Sequence, residues 1–216
     1  MFISFEGIDG CGKTTQIKML YDYLKFKENR KVILTKEPSG GGIFSEAIKK
    51  ILSKSDTLLL SELLAIYAAR NEHIQKLILP SLNNNNIVLC DRFIDSSFAY
   101  YCYNDINNQN ICNREFFRKK AFIHKLHKEI GNIMPKITIF IYVDILVAQE
   151  RRNARKKQAD KYDNGNFEKM QKIQNVYFKL AKHNKKRIIT INGNNGAQVV
   201  FDQILNALKN KLYLKT

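Results

Sequence analysis

The sequence predicts an α/β fold of three layers, a parallel sheet covered on both faces by helices. Two observations carry that expectation. Five short, continuously apolar runs alternate with segments of helical period along the whole chain. A strand that is apolar on both faces belongs in a parallel sheet buried between helix layers. The first run also stops at a cluster of glycines (Gly7, Gly10, Gly12) that opens a helix. The 216 residues, 44% of them hydrophobic, suit one domain spanning 1–216, and no internal repeat or boundary divides it.

Each element follows from local pattern. Met1 to Glu6 reads as the first strand. Lys13 to Phe26 reads as a helix with Ile17, Leu20, Tyr21 and Leu24 on one face. Lys31 to Lys36 holds the second strand, and "EPSGGG" is a loop by its Pro and Gly content. Phe44 to Ser53 is an amphipathic helix, and Leu58 to about Leu82 a long one with Pro80 near its end. After a polar turn at Asn83 to Asn86, "IVLC" is a buried strand ending at Asp91, and a helix runs from Asp95 to Tyr103. Residues 104–113 form an Asn-rich loop. Arg114 to Ile130 is helical and stops at Gly131, a fitting C-cap. Ile137 to Val143 is the fourth strand. Leu146 to Arg155 is a helix running into a charged segment, 156–166. Phe167, Met170, Ile173, Tyr177 and Leu180 mark a further helix, "RIITI" is the fifth strand, and Ala197 to Leu212 the last helix.

Bulk properties bound the function. No apolar run approaches the 18 residues of a membrane-spanning helix. Met1 leads directly into a strand pattern, which leaves no room for a signal peptide. Cys11, Cys90, Cys102 and Cys112 lack metal-ligand spacing and read as reduced thiols of a cytoplasmic protein. The net charge of +16 asks for a polyanion. The Lys and Asn bias of the whole surface accounts for that total as well, so individual Arg positions carry the argument.

Gly7-Ile8-Asp9-Gly10-Cys11-Gly12-Lys13-Thr14 fits G-x-x-x-x-G-K-[ST], placed after a strand and opening a helix. Gly permits the backbone angles that turn successive N–H groups onto a phosphate. The helix N-terminus adds unpaired N–H groups and its dipole. Lys13 can reach the β- and γ-phosphates, and the Thr14 hydroxyl can ligate Mg²⁺; Thr15 follows at the same helix start. Motif and context together point to a nucleoside triphosphate rather than to a chance turn with a solvated lysine. A guanine-reading N-K-x-D after a strand is missing, since "NKKR" at 184–187 precedes one. That disfavours a GTPase, and a motor or helicase needs a longer chain.

Three further stretches carry charge where ligands bind. "IVLCDRF" delivers Asp91 and Arg92 to the C-terminal end of a strand, the edge where open α/β sheets bind ligands. Asp91 suits Mg²⁺, directly or through water, and Arg92 suits a second phosphate through its bidentate fork. The alternative is a capping Asp beside a surface Arg. "IYAAR" puts Ile66 and Arg70 one helical turn apart, and an Arg on an apolar face needs a partner, either a ligand or a neighbouring Glu. "ERRNARKKQADKYD" at 150–163, with Arg151 and Arg155 at i and i+4, is either a solvated face or a lid whose cations close over transferring phosphates.

In that order, "FEGIDGCGKTTQ", "TKEPSGG", "YAAR", "DRFIDSSFAY" and the lid-like arginines with "DKYD" resemble the thymidylate kinase family over nearly the whole chain. The likeness is to bacterial members, with cations in the lid and none at the variable positions of the loop "IDGCG". The resemblance implies a single P-loop kinase domain over 1–216 with a lid at about 151–166. It implies a five-stranded parallel sheet of order 2-3-1-4-5, phosphorylation of dTMP to dTDP for dTTP synthesis, ATP as donor, Mg²⁺, a cytoplasmic homodimer, and neither membrane nor nucleic acid as partner. It also assigns residues. Gly7, Ile8, Asp9, Gly10, Cys11, Gly12, Lys13, Thr14 and Thr15 bind ATP. Lys13, Asp9, Arg92, Arg151 and Arg155 serve catalysis, and Thr14 and Asp91 the metal. Asp9, Glu37, Ile66, Arg70, Arg92, Ser96, Ser97 and Tyr100 bind dTMP: Arg92 its phosphate, Arg70 thymine O4, Ser97 the N3 side, Tyr100 the 2′ side of the sugar. The acceptor oxygen is already ionised, so no base is required, and His73, His124, His127 and His183 read as surface or packing residues.

Departures from the family pattern are specific. Ile66 stands where a stacking Phe is usual, which forfeits about 0.5–1.5 kcal/mol of aromatic contact. Lys161 stands where Arg is frequent. Two other readings remain: a P-loop kinase for a different nucleoside monophosphate or a deoxynucleoside, and a basic nucleic-acid-binding protein switched by ATP, which predicts salt-sensitive binding. Arg92 argues for a phosphorylated acceptor, and the spacing of "YAAR" and "DRF" has no role in the nucleic-acid reading.

Overall fold

The structure is a computed structural model that describes residues 1–54, 56–105, 113–154 and 167–212, with side chains to Lys209. Five parallel strands run in the order β2-β3-β1-β4-β5: β1 Phe2–Glu6, β2 Val32–Lys36, β3 Ile87–Asp91, β4 Ile137–Tyr142 and β5 Ile188–Asn192. Every residue of β1 is buried, as its unbroken apolar run requires of a central strand. β1 pairs with β3 on one side, Phe5 opposite Asp91, and with β4 on the other, Glu6 opposite Phe140. The strand order reverses next to β1, so the crevice beyond its C-terminal end lies between two diverging chain paths. Glu6 and Asp91, with the residues that follow them, sit at that edge.

The helices contact one another in two groups. α1 (Lys13–Asp22) packs on α9 (Ala197–Leu212); α2 (Ile43–Lys54) on α3 (Leu59–His73), α3 on α5 (Ile94–Cys102), and α5 on α6 (Arg114–Glu129) and α8 (Phe167–His183). α7 (Ile145–Asn153) contacts α8. The predicted long helix is continuous but not uniform. α3 passes through a wider π turn at Ile74–Ile78 before α4 (Leu79–Asn83). Pro80 has no N–H to give the ladder, and a widened turn before it lets the helix continue. The first helix widens in the same way at Tyr23–Lys27. Asn113 caps α6 by accepting from the Phe116 N–H at 2.9 Å. Cys11, Cys90 and Cys102 are buried free thiols; Cys112, most of the Asn-rich loop and the lid segment from Arg155 on lie outside the described residues. Among the described residues no helix is long and apolar enough to cross a membrane.

Candidate active site

The loop between β1 and α1 is shaped by its glycines. A Cβ on Gly7 would lie 2.3 Å from the Ile141 carbonyl oxygen, and one on Gly10 2.3 Å from that of Ala148. Gly12, the N-cap of α1, has φ +100, a left-handed angle that favours glycine. The first turn of α1 holds no acidic residue and no side-chain cap. The Thr15 and Gln16 N–H groups donate to the Gly12 carbonyl at 3.1 Å; the N–H groups ahead of them are left for an anion, with the helix dipole behind them. Ile8 and Cys11 are buried against the core, while Thr14 and Thr15 face outward. The Lys13 ammonium folds back onto the loop and donates to the carbonyls of Gly7 and Ile8, each at 3.0 Å. A triphosphate offers that ammonium better acceptors than two amide carbonyls. The Thr14 hydroxyl donates to Asp91 at 3.1 Å, which brings the two predicted metal ligands together. Two hard oxygen donors beside a phosphate loop fit Mg²⁺, which keeps waters and phosphate oxygens as its other ligands.

Beyond this loop lies a cavity of about 330 Å³, and all eight residues assigned to the acceptor line it. One end is cationic. Arg92, at φ +71, is a non-glycine residue in left-handed backbone, a cost that surrounding structure must outweigh. Its guanidinium donates to Asp9 at 2.6 Å and to Ser96 at 3.2 Å, and lies 5.1 Å from the centre of the Tyr100 ring. Burial alone would raise the Asp9 pKa, but Arg92 and Lys13 outweigh it and hold the carboxyl at about 2, with Arg152 adding to the pull.

The other end is polar but neutral overall. Arg70 is buried and grips Glu37 through Nε at 2.9 Å and Nη2 at 2.7 Å. Burial would raise the Glu37 pKa, yet Arg70 and His73 bring it below the usual carboxylate range. The Glu partner left open by the sequence is therefore real, but it uses only part of the guanidinium. Arg70 Nη1 and Ser97 Oγ are buried with no hydrogen-bond partner among the described residues, and both residues line the cavity. An unsatisfied buried donor costs about 1–3 kcal/mol, which a ligand with matching polar atoms relieves. Ile66 and Pro38 supply apolar wall to the cavity.

Arg151 does not reach over the loop. Its guanidinium donates to the carbonyls of Gly193 at 2.8 Å and Asn195 at 3.4 Å, after β5, so it braces a neighbouring turn. Among the described residues of that run, the Arg152 charge contributes at Asp9; Arg155 and Lys161 lie outside the described residues. His73, read as a surface or packing residue, is fully buried and bridges Thr35 at 2.8 Å to Glu37 at 3.5 Å. A Cβ on Gly40 would sit 2.5 Å from its ring, which gives the "SGG" turn a reason. Glu6 and Tyr177 were missed as well. Glu6 is fully buried, and burial and the Asp95 carboxylate push its pKa up to about 7. The signal was present: a lone charge ending an apolar strand demands partners.

Fold and site define a phosphate-loop α/β protein with a second, arginine-bearing cavity facing the loop, the design of an enzyme that joins two phosphorylated ligands. A family model described as thymidylate kinase matches residues 5–204. The chain is 40% identical to a thymidylate kinase of Rickettsia bellii over 191 residues, covering 88% of this chain and 86% of that one. It is 36% identical to one of Orientia tsutsugamushi, covering 98% and 94%. The crystal structure of thymidylate kinase from Ehrlichia chaffeensis superposes with a TM-score of 0.72 at 34% identity, covering 97% of this chain and 98% of that one. The chain belongs to the thymidylate kinase family.

Proposed function

We propose that this chain transfers the γ-phosphoryl group of ATP to the 5′-phosphate of dTMP, giving dTDP and ADP. The observation that carries the reading is the cavity itself. A cationic end at Arg92 suits the acceptor phosphate, while the unpartnered Arg70 Nη1 and Ser97 Oγ suit the polar edge of a base. Arg70 donates, so it matches the O4 carbonyl of thymine and opposes the amino group of cytosine. Tyr100 fills the space beside the sugar.

The roles follow from charge and position. The first-turn N–H groups of α1 and Lys13 hold the donor phosphates. Arg92 holds the acceptor phosphate and Asp9 holds Arg92. Thr14 and Asp91 would hold Mg²⁺, which supplies charge neutralisation on the phosphates. Phosphoryl transfer is mainly positioning and electrostatics, and an acceptor oxygen that is already ionised needs no proton removed. The chain acts as one domain over 1–216 in the cytoplasm. It pairs as a homodimer, supported by the exposed Ile43, Ile51, Leu58, Leu60 and Leu64 of the α2–α3 region, large apolar side chains that a lone chain leaves wet at a cost.

ADP release with Mg·ATP and a panel of dTMP, dUMP, UMP, dCMP, AMP, GMP and thymidine tests the reading. Preference for dTMP is expected. Turnover of AMP, GMP or dCMP ahead of dTMP would overturn the base assignment.

A further inference from the structure

We propose that Glu6 is a positioning residue for the acceptor phosphate: as a buried acceptor it turns the hydroxyl protons of Ser96 and Tyr177 away from Arg92 and so aims the Arg92 guanidinium into the cavity. The proposal rests on the phosphotransfer reading and adds a group that touches neither substrate.

The geometry is a short relay. One carboxylate oxygen of Glu6 accepts from the Phe93 N–H at 2.7 Å. The other accepts from Ser96 Oγ at 2.6 Å and from Tyr177 Oη at 3.0 Å. Arg92 Nη1 lies 3.2 Å from Ser96 Oγ and 3.4 Å from Tyr177 Oη. A hydroxyl has one proton, and Arg has donors only. Ser96 Oγ and Tyr177 Oη also lie 2.9 Å apart. With Glu6 ionised, Ser96 donates to it and Tyr177 donates to it or to Ser96 Oγ, so neither proton points at Arg92 and both hydroxyls keep lone pairs for its guanidinium. The backbone contact acts on the same target. The Phe93 N–H belongs to the peptide that follows Arg92, whose φ of +71 needs holding.

Position favours this over a merely structural role. Glu6 ends β1 one residue before the phosphate loop, Ser96 is on α5, and Tyr177 comes from α8 with its ring stacked 5.2 Å from Phe140. Three elements thus converge behind one guanidinium. Glu6→Gln keeps the shape but replaces one acceptor oxygen by a donor. In one orientation it opposes the two hydroxyls, in the other the Phe93 N–H. Either way Arg92 faces a proton or loses its backbone tether.

The test is equilibrium titration of the folded variants with dTMP and with thymidine, which lacks the phosphate that Arg92 would hold. Wild-type protein is assayed first: failure to phosphorylate dTMP would refute the functional reading, separately from this one. At a pH above 8, where Glu6 is ionised, dTMP affinity in Glu6→Gln should fall tenfold or more while thymidine affinity stays within twofold and KM for ATP is unchanged. Tyr177→Phe removes one hydroxyl and keeps the ring; it should show the same phosphate-selective loss, about threefold to tenfold, and decides the matter if Glu6→Gln does not fold. Equal loss for dTMP and thymidine, or no loss for either, would overturn the proposal.

Discussion

The donor loop and the acceptor cavity solve the same problem, holding a phosphate, by opposite means. The loop does it with backbone: eight consecutive residues, three of them glycines, turn N–H groups toward one point. The cavity does it with side chains drawn from α2, α3 and α5 and from the loops after β1, β2 and β3, its arginines oriented by further partners such as Glu37, Asp9 and Ser96. A backbone site is local and tolerates change in its neighbours. A side-chain site is assembled, so removing one member leaves another buried and unsatisfied.

The largest effect expected is at the loop. Lys13→Ala should lower kcat about 10³-fold, since a charge aimed at the transferring group in a closed site has no substitute, and single-turnover rates check it. Arg92→Ala should lower kcat/KM for dTMP about 10²-fold and leave the KM for ATP within about threefold. An equal rise in both KM values would merge the two sites. Glu37→Gln isolates the assembled character of the cavity. It strips the buried Arg70 of its charge partner at about 3–5 kcal/mol, a Tm loss of about 10 °C. A Tm shift as small as that of a surface variant would show that Arg70 is solvated.

The carboxyl groups give the comparison a pH signature. Asp9 is depressed to about 2, so its contribution to stability is complete above the ordinary Asp range and is lost as pH falls toward 2. Glu6 is raised to about 7. The native state then binds an extra proton between the ordinary Glu range and 7, and stability declines as pH rises through that window. In Glu6→Gln the decline over that window should flatten in denaturant melts, while the acid limb set by Asp9 persists.

What was legible in the sequence follows the same divide. The loop, the strands and the arginines of "YAAR" and "DRF" were readable because each is a short pattern with its physics inside it. Glu6 announced only that it needs a partner, as a lone charge ending an apolar strand; that the partner is Tyr177, 171 positions away, nothing local could say. His73 packs in the interior as read, but its polar partners, Thr35 and Glu37, lie 38 and 36 positions away and no local pattern names them. Arg151 shows the converse. Its i, i+4 spacing with Arg155 fits a lid face, but a helical period cannot say that a turn 42 residues later claims the guanidinium. The smallest effect tests a departure the sequence did show. Ile66→Phe should tighten dTMP binding about 2–10-fold through ring stacking, measured by titration; weaker binding would mean that Ile66 already fills its space.

One measurement bears on the separateness of the two sites most directly: titration of Lys13→Ala and of Arg92→Ala, each with dTMP and with a non-hydrolysable ATP analogue. A crossed result is expected, in which Lys13→Ala loses the ATP analogue and keeps dTMP while Arg92→Ala loses dTMP and keeps the ATP analogue. If either variant loses both ligands to the same degree, the loop and the cavity are one site, and the division drawn here is wrong.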